Sequence, residues 1–142
     1  MNKALALALL RVSLGGLLLA WGLDKIVNTE HGLAVSDKFY GGVLSVASLM
    51  PMLGVIQSLL GVLVIVGWQR RWVYPIQLVV NSLTLLAVFG SVIDPLGWYL
   101  EGTNLLFYPS LIVFAASLVV MAFRAEDRYA LDAVRQPATG AA

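Results

Sequence analysis

The chain has 142 residues, 60% of them apolar and 12% charged, about half the charged share of an ordinary soluble domain. A net charge of +1 excludes a basic nucleic-acid surface, and the lack of cysteine excludes disulfides, thiol chemistry, iron–sulfur clusters and thioether-linked haem on this chain. A single histidine, His31, excludes a haem held by two histidines of one chain.

In chain order the dominant elements are four apolar runs, at residues 4–23, 49–68, 73–93 and 105–123. Each has about the 20 residues that a helix needs to cross roughly 30 Å of bilayer hydrocarbon. With a mean hydropathy of +0.88, they predict an all-α protein, an integral membrane four-helix antiparallel bundle. Lipid offers no hydrogen-bond partners, so the backbone must bond within helices. The spans form one domain over residues 1–135, and residues 136–142 read as a disordered tail.

Lys3 and the run Ala4–Leu10 resemble the start of a signal peptide, but Arg11 interrupts the run and no clean cleavage site follows. The first span is therefore read as an uncleaved helix. The first connection, Asp24–Ser48, is long. Its half Asp37–Ser48 reads as an interfacial helix or as an outward extension of the second span bent at Pro51. The second connection, Gln69-Arg70-Arg71-Trp72, is short and forces a hairpin, and Ala125–Arg135 has the pattern of a short amphipathic helix. Lys3, Arg70, Arg71, Arg124, Arg128 and Arg135 fall on one side of a four-span chain, and only Lys25 and Lys38 on the other. By the positive-inside rule both termini are cytoplasmic. Trp68 and Trp72 mark one interface, and Trp98 and Tyr99 the other.

Polar residues inside the spans are the candidate site. Arg11 lies about 10 Å from the cytoplasmic end of its helix. It reads either as an arginine snorkelling to the headgroups, meeting Glu126 or Asp127, or as an inward arginine that holds a polar or anionic ligand. Gln77, Asn81, Thr84 and Ser91 share one helix stripe. Gln77 and Asn81 lie at the depth of Arg11, with Ser13 near, so Arg11, Ser13, Gln77 and Asn81 form the expected ligand-binding set for a quinone or lipid. The alternative role for these groups is interhelical hydrogen bonding, worth about 0.6 kcal/mol each. Gly16 with Ala20, Gly54 with Ser58 and Gly61, and Ala87 with Ser91 are spaced for close helix contact. Glu30 and His31 are a poor metal-ligand set, so no metal site is expected. Asp94 and Glu101 are placed to steady the third connection.

Arg11, Gly15, Gly22 and Lys25 carry a family resemblance. The order arginine, glycine four residues on, then glycine-x-x-lysine at the outer helix end resembles the DoxX-like family of small bacterial four-helix membrane proteins. Trp21 stands where many relatives have histidine. The resemblance implies a multi-pass protein of the bacterial cytoplasmic (inner) membrane, a small, non-catalytic subunit that anchors or assembles a larger, redox- or quinone-linked complex. It carries no covalent cofactor, and its partners would be the bilayer and either other subunits or further copies of itself. A quinone- or lipid-binding protein with its own site, or a small-molecule transporter, is the alternative.

Overall fold

The computed structural model describes residues 2–135, and its regular secondary structure is all helical, with no strand among the described residues. Helix α1 spans Lys3–Val27, α2 Thr29–Phe39, α3 Met50–Val66, α4 Arg70–Ala87, α5 Phe89–Ile93, α6 Pro109–Ala122 and α7 Leu131–Arg135. A short 3-10 turn, Leu105–Phe107, precedes α6. Two segments are long and apolar enough to cross a membrane, Lys3–Val27 and Leu105–Ala122, and α3 is a shorter apolar helix.

Asn2 caps α1, its side chain accepting from the Ala4 amide at 3.1 Å. Leu7, Arg11, Leu14, Gly15, Leu18 and Gly22 form its buried stripe, at the spacing of one helical face. That stripe meets α3 antiparallel, Gly15 against Gly61 and Gly22 against Gly54. A Cβ at Gly15 would lie 2.7 Å from the Gly61 carbonyl oxygen, and one at Gly54 would lie 2.7 Å from that of Gly22. The two backbones are therefore in contact, with no room for a side chain between them. Gly16, expected at this seam, has nothing within 4 Å, and Ala20 is exposed. One residue is 100° of helix, so the seam runs through Gly15 and Gly22 instead. The expected small-residue face of Gly54, Ser58 and Gly61 does meet α1.

Gly67 ends α3 in the left-handed region (φ 71°), its amide donating to the Leu63 and Val64 carbonyls. Gln69 is also left-handed (φ 52°), a conformation that costs a non-glycine residue about 1 kcal/mol or more. Asp132 holds the turn: its carboxylate accepts from the Gln69 amide at 3.1 Å and the Arg70 amide at 2.8 Å. α4 then runs antiparallel to α3 and α6, over a core of Leu14, Leu18, Leu60, Val64, Val73, Tyr74 and Val120.

Several boundaries differ from those predicted. The third apolar run is interrupted at Val88, between α4 and α5. The first connection contains α2, and residues 40–49 form turns, so 37–48 neither make an interfacial helix nor extend α3. Gly41 and Gly42 explain this, since both adopt positive φ (61° and 73°) and stop the helix. Of Ala125–Arg135 only Leu131–Arg135 is helical, and the rest is turns. The predicted tail at residues 136–142 lies outside the described residues.

Candidate functional site: a buried ion pair and a lateral cavity

The polar residues singled out by the sequence separate into two places. Arg11 goes to the end of the bundle that carries the termini. Its side chain is 3% exposed and its Nε donates to Asp127 Oδ2 at 2.8 Å. Nη1 donates to the Val64 carbonyl at 3.3 Å and to that of Ile65, and Nη2 donates to the Tyr129 carbonyl at 3.2 Å. Arg11 thus neutralises Asp127 and caps the last turn of α3, where unpaired carbonyls carry partial negative charge. Tyr74 Oη adds a second bond to this carboxylate, donating to Asp127 Oδ2 at 3.1 Å. Arg70 ties down the turns that follow α6, donating to the Arg124 carbonyl at 2.5 Å and the Asp127 carbonyl at 3.1 Å. Lys3 pairs with Glu126. The C-terminal segment is therefore folded back against the helix ends. Arg11 meets Asp127, one of the two acids considered for it, but inside the protein rather than at a headgroup.

Ser13 also lies away from the expected cluster, exposed and donating to the Leu9 carbonyl of its own helix at 2.8 Å. Gln77 and Asn81 are joined, by Ser117 of α6. Gln77 Nε2 lies 2.7 Å and Asn81 Nδ2 2.9 Å from Ser117 Oγ, which in turn donates to the Val113 carbonyl at 2.7 Å. Arg11 makes no hydrogen bond to this group. Sequence reasoning did not single out Ser117, although it and Ser110, seven residues apart in one apolar run, are a signal. Ser91 is buried and its Oγ accepts from the Asn104 amide, so it fixes a loop.

Above Asn81, toward the far end from the termini, lies a cavity of about 580 Å³. Leu17 and Leu18 of α1, Val80 of α4 and Val113 of α6 make its apolar walls. α2 covers one side with Val35 and Phe39, and Phe107 packs edge-on to Phe39 at 5.0 Å. Tyr40 Oη donates to Thr84 Oγ1 across the opening at 3.3 Å. The polar lining is Asn81, Gln57, Thr84, Tyr40 and Ser110, with His31 and Lys38 at the mouth. His31 stacks on Trp21 and places Nδ1 2.6 Å from Asp24 Oδ2, so it is an oriented group and not a free loop residue. The other motif residues, Gly15, Gly22 and Lys25, serve packing: the glycines form the α1–α3 seam, and Lys25 folds over Trp21. No cluster of metal-ligating side chains occurs among the described residues.

At the same far end Asp94 steadies the third connection, as expected. Its carboxylate accepts from the amides of Trp98 at 3.0 Å, Tyr99 at 2.6 Å and Leu100 at 2.8 Å. These bonds favour the charged form, that from Tyr99 most, and hold the carboxyl below the usual range against the opposing effect of burial. A group with a lowered folded pKa stabilises above its unfolded value and loses that effect as pH falls through the folded one. Hydrogen exchange at residues 98–100, corrected for intrinsic rate, is therefore expected to accelerate below about pH 4. Asp94→Ala should show the fast rate already at neutral pH. Equal protection in the two proteins at neutral pH would show that the carboxylate does not hold the loop.

No family model, curated protein or solved structure matches this chain. The function is therefore argued from the cavity and its surroundings.

Proposed function

We propose that this chain is an integral membrane protein, crossing the bilayer four times with both termini cytoplasmic, that holds a lipophilic ligand with a small polar end in the cavity beside Asn81. The observation that carries the reading is the cavity itself, apolar along its walls, with Asn81 fixed at its floor by Ser117. Such pairing of an apolar trough with a few convergent polar groups is the usual form of a small-molecule site. Quinones and lipids are the ligand classes that reach a site of this kind from a bilayer.

The membrane reading is supported by what lies outside. Leu9, Val55, Ile56, Leu59, Leu83 and Ile112 are each more than half exposed, which water would penalise and lipid would not. Lys3, Arg70, Arg124 and Arg128 share the end that carries the termini, in keeping with the positive-inside rule. A second reading is an anchoring or assembly subunit of a larger, redox- or quinone-linked complex. It draws on the resemblance to DoxX-like proteins and on Trp98 and Tyr99, 74% and 87% exposed at the far end. Aromatic residues of this kind dominate interfaces.

Extraction in a mild detergent followed by native mass spectrometry separates the two readings. A retained lipophile is expected, and it should be lost in Val113→Trp, which fills the cavity. Retention of the same lipophile by that variant would sink the cavity reading. A co-purifying polypeptide lost in Trp98→Ala/Tyr99→Ala would favour the subunit reading.

A further inference from the structure

We infer that the cavity selects a ligand whose polar end donates a hydrogen bond, a hydroxyl-bearing lipophile, over one that can only accept. The inference rests on the cavity reading above and adds the chemistry of the ligand's head.

The direction of the hydrogen bonds around Ser117 decides it. A serine hydroxyl has one hydrogen. That of Ser117 goes to the Val113 carbonyl, 2.7 Å away on its own helix. The two amides that approach Ser117 Oγ must therefore present N–H groups to it, Gln77 Nε2 at 2.7 Å and Asn81 Nδ2 at 2.9 Å. This fixes the orientation of both amides by chemistry, and their carbonyl oxygens face away from Ser117. Gln77 Oε1 is fully buried and has no partner. No described residue donates to Asn81 Oδ1 either, and Asn81, 5% exposed, lines the cavity floor. Gln77 lies one helical turn below it.

Gln77 Oε1 is sealed without a donor, a costly state for a buried acceptor, whereas Asn81 Oδ1 is not sealed and has no donor among the described residues. The cavity floor is thus short of donors. A hydroxyl meets this need: its hydrogen goes to Asn81 Oδ1, and its oxygen can take the remaining Nδ2 hydrogen. An ether or ketone of the same shape supplies no hydrogen and leaves the carbonyl oxygen unpaired. The apolar walls of Leu17, Leu18 and Val113 require that the rest of the ligand be hydrocarbon.

The test uses the full chain in lipid nanodiscs, with Trp68, Trp72 and Trp98 replaced by Phe so that Trp21, which lines the cavity, is the only tryptophan. The probes are a bromine-tagged octanol and its methyl ether, since bromine quenches tryptophan on contact. Both are compared at equal concentration in the bilayer, after correction for partitioning. The alcohol is expected to reach half-quenching at about five- to tenfold lower concentration than the ether, the effect of one hydrogen bond of about 1 kcal/mol or slightly more. Ser117→Ala frees the Asn81 amide to turn, and the preference should shrink to within about twofold. Asn81→Leu should abolish it while leaving apolar probe binding in place, which serves as the check that the variant is folded. Equal quenching by alcohol and ether in the parent protein would overturn the inference and leave the cavity reading intact. A tightly held water satisfying the same oxygens would give that result. Quenching of Trp21 by either probe no stronger than that of exposed Trp98, in a variant retaining Trp98 alone, would overturn the cavity reading and this inference with it.

Discussion

Asp127→Ala is expected to cost about 3–5 kcal/mol of stability, the range for breaking a buried ion pair by removing one partner. The pair is almost sealed from solvent, at 3% and 2% side-chain exposure. Loss of the carboxylate leaves the Arg11 guanidinium buried with only peptide carbonyls for company, and removes the acceptor of Tyr74 Oη. Arg11→Leu should be similarly costly, because it strands Asp127 and uncaps α3. The double variant Arg11→Met/Asp127→Leu removes both charges and should recover most of the loss, since apolar replacements of a buried pair are often close to neutral. Reversible unfolding in mixed micelles measures all three. A loss below about 1 kcal/mol for Asp127→Ala would mean that the pair is screened as a surface bridge is. Because Arg11 does not reach the cavity, its replacement should change ligand retention only as far as it unfolds the protein. That separates its role from that of Asn81.

The second large effect is expected at the glycine seam. Gly61→Leu must place a side chain where Leu19 N is 2.6 Å and the Gly15 oxygen 2.7 Å from the Cβ position. Backbone atoms cannot step aside, so α1 and α3 must move apart and lose the contacts along their whole length. The cost should reach about 3 kcal/mol or more, at the upper end for overpacked cores. Gly22→Ala meets the Ser58 amide nitrogen at 2.6 Å and should be destabilising as well. Gly16→Ala is the contrast: its Cβ meets nothing, and the gain in helix propensity over glycine makes it neutral or slightly stabilising, by up to about 1 kcal/mol. Thermal unfolding of these variants in one detergent orders them. Similar losses for Gly16→Ala and Gly22→Ala would refute the seam.

The helices were legible because apolar runs of this length have few other outcomes. Their contacts were legible only in part. Spacing identified Gly54, Ser58 and Gly61 correctly but put Gly16 in place of Gly15, since two adjacent glycines leave the face ambiguous by one residue. Arg11 is visible in the sequence as an anomaly, with Asp127 one of two acids it could meet. Nothing local shows that residues 123–135 fold back and bury that pair. Gln77 and Asn81 share a stripe by periodicity, whereas Ser117, which orients them, belongs to a helix whose only other polar group is Ser110, too little to set its phase against α4. The cavity was not legible at all. It depends on α2, a helix whose sequence is polar enough to pass for a loop, and on where α2 lies against α1, α4 and the turn at Phe107.

The distance along the chain between Arg11 and its carboxylate also sets an order of assembly. They are separated by 116 residues, so at roughly 5–20 residues per second the cation is synthesised on the order of ten seconds before its counter-ion. The Val64 and Ile65 carbonyls arrive about halfway, 53 and 54 residues on, and give the guanidinium a provisional neutral shelter. Full compensation comes only when Asp127 emerges. A nascent chain stalled before that point carries an uncompensated interior charge, and so bears a physical mark of being unfinished.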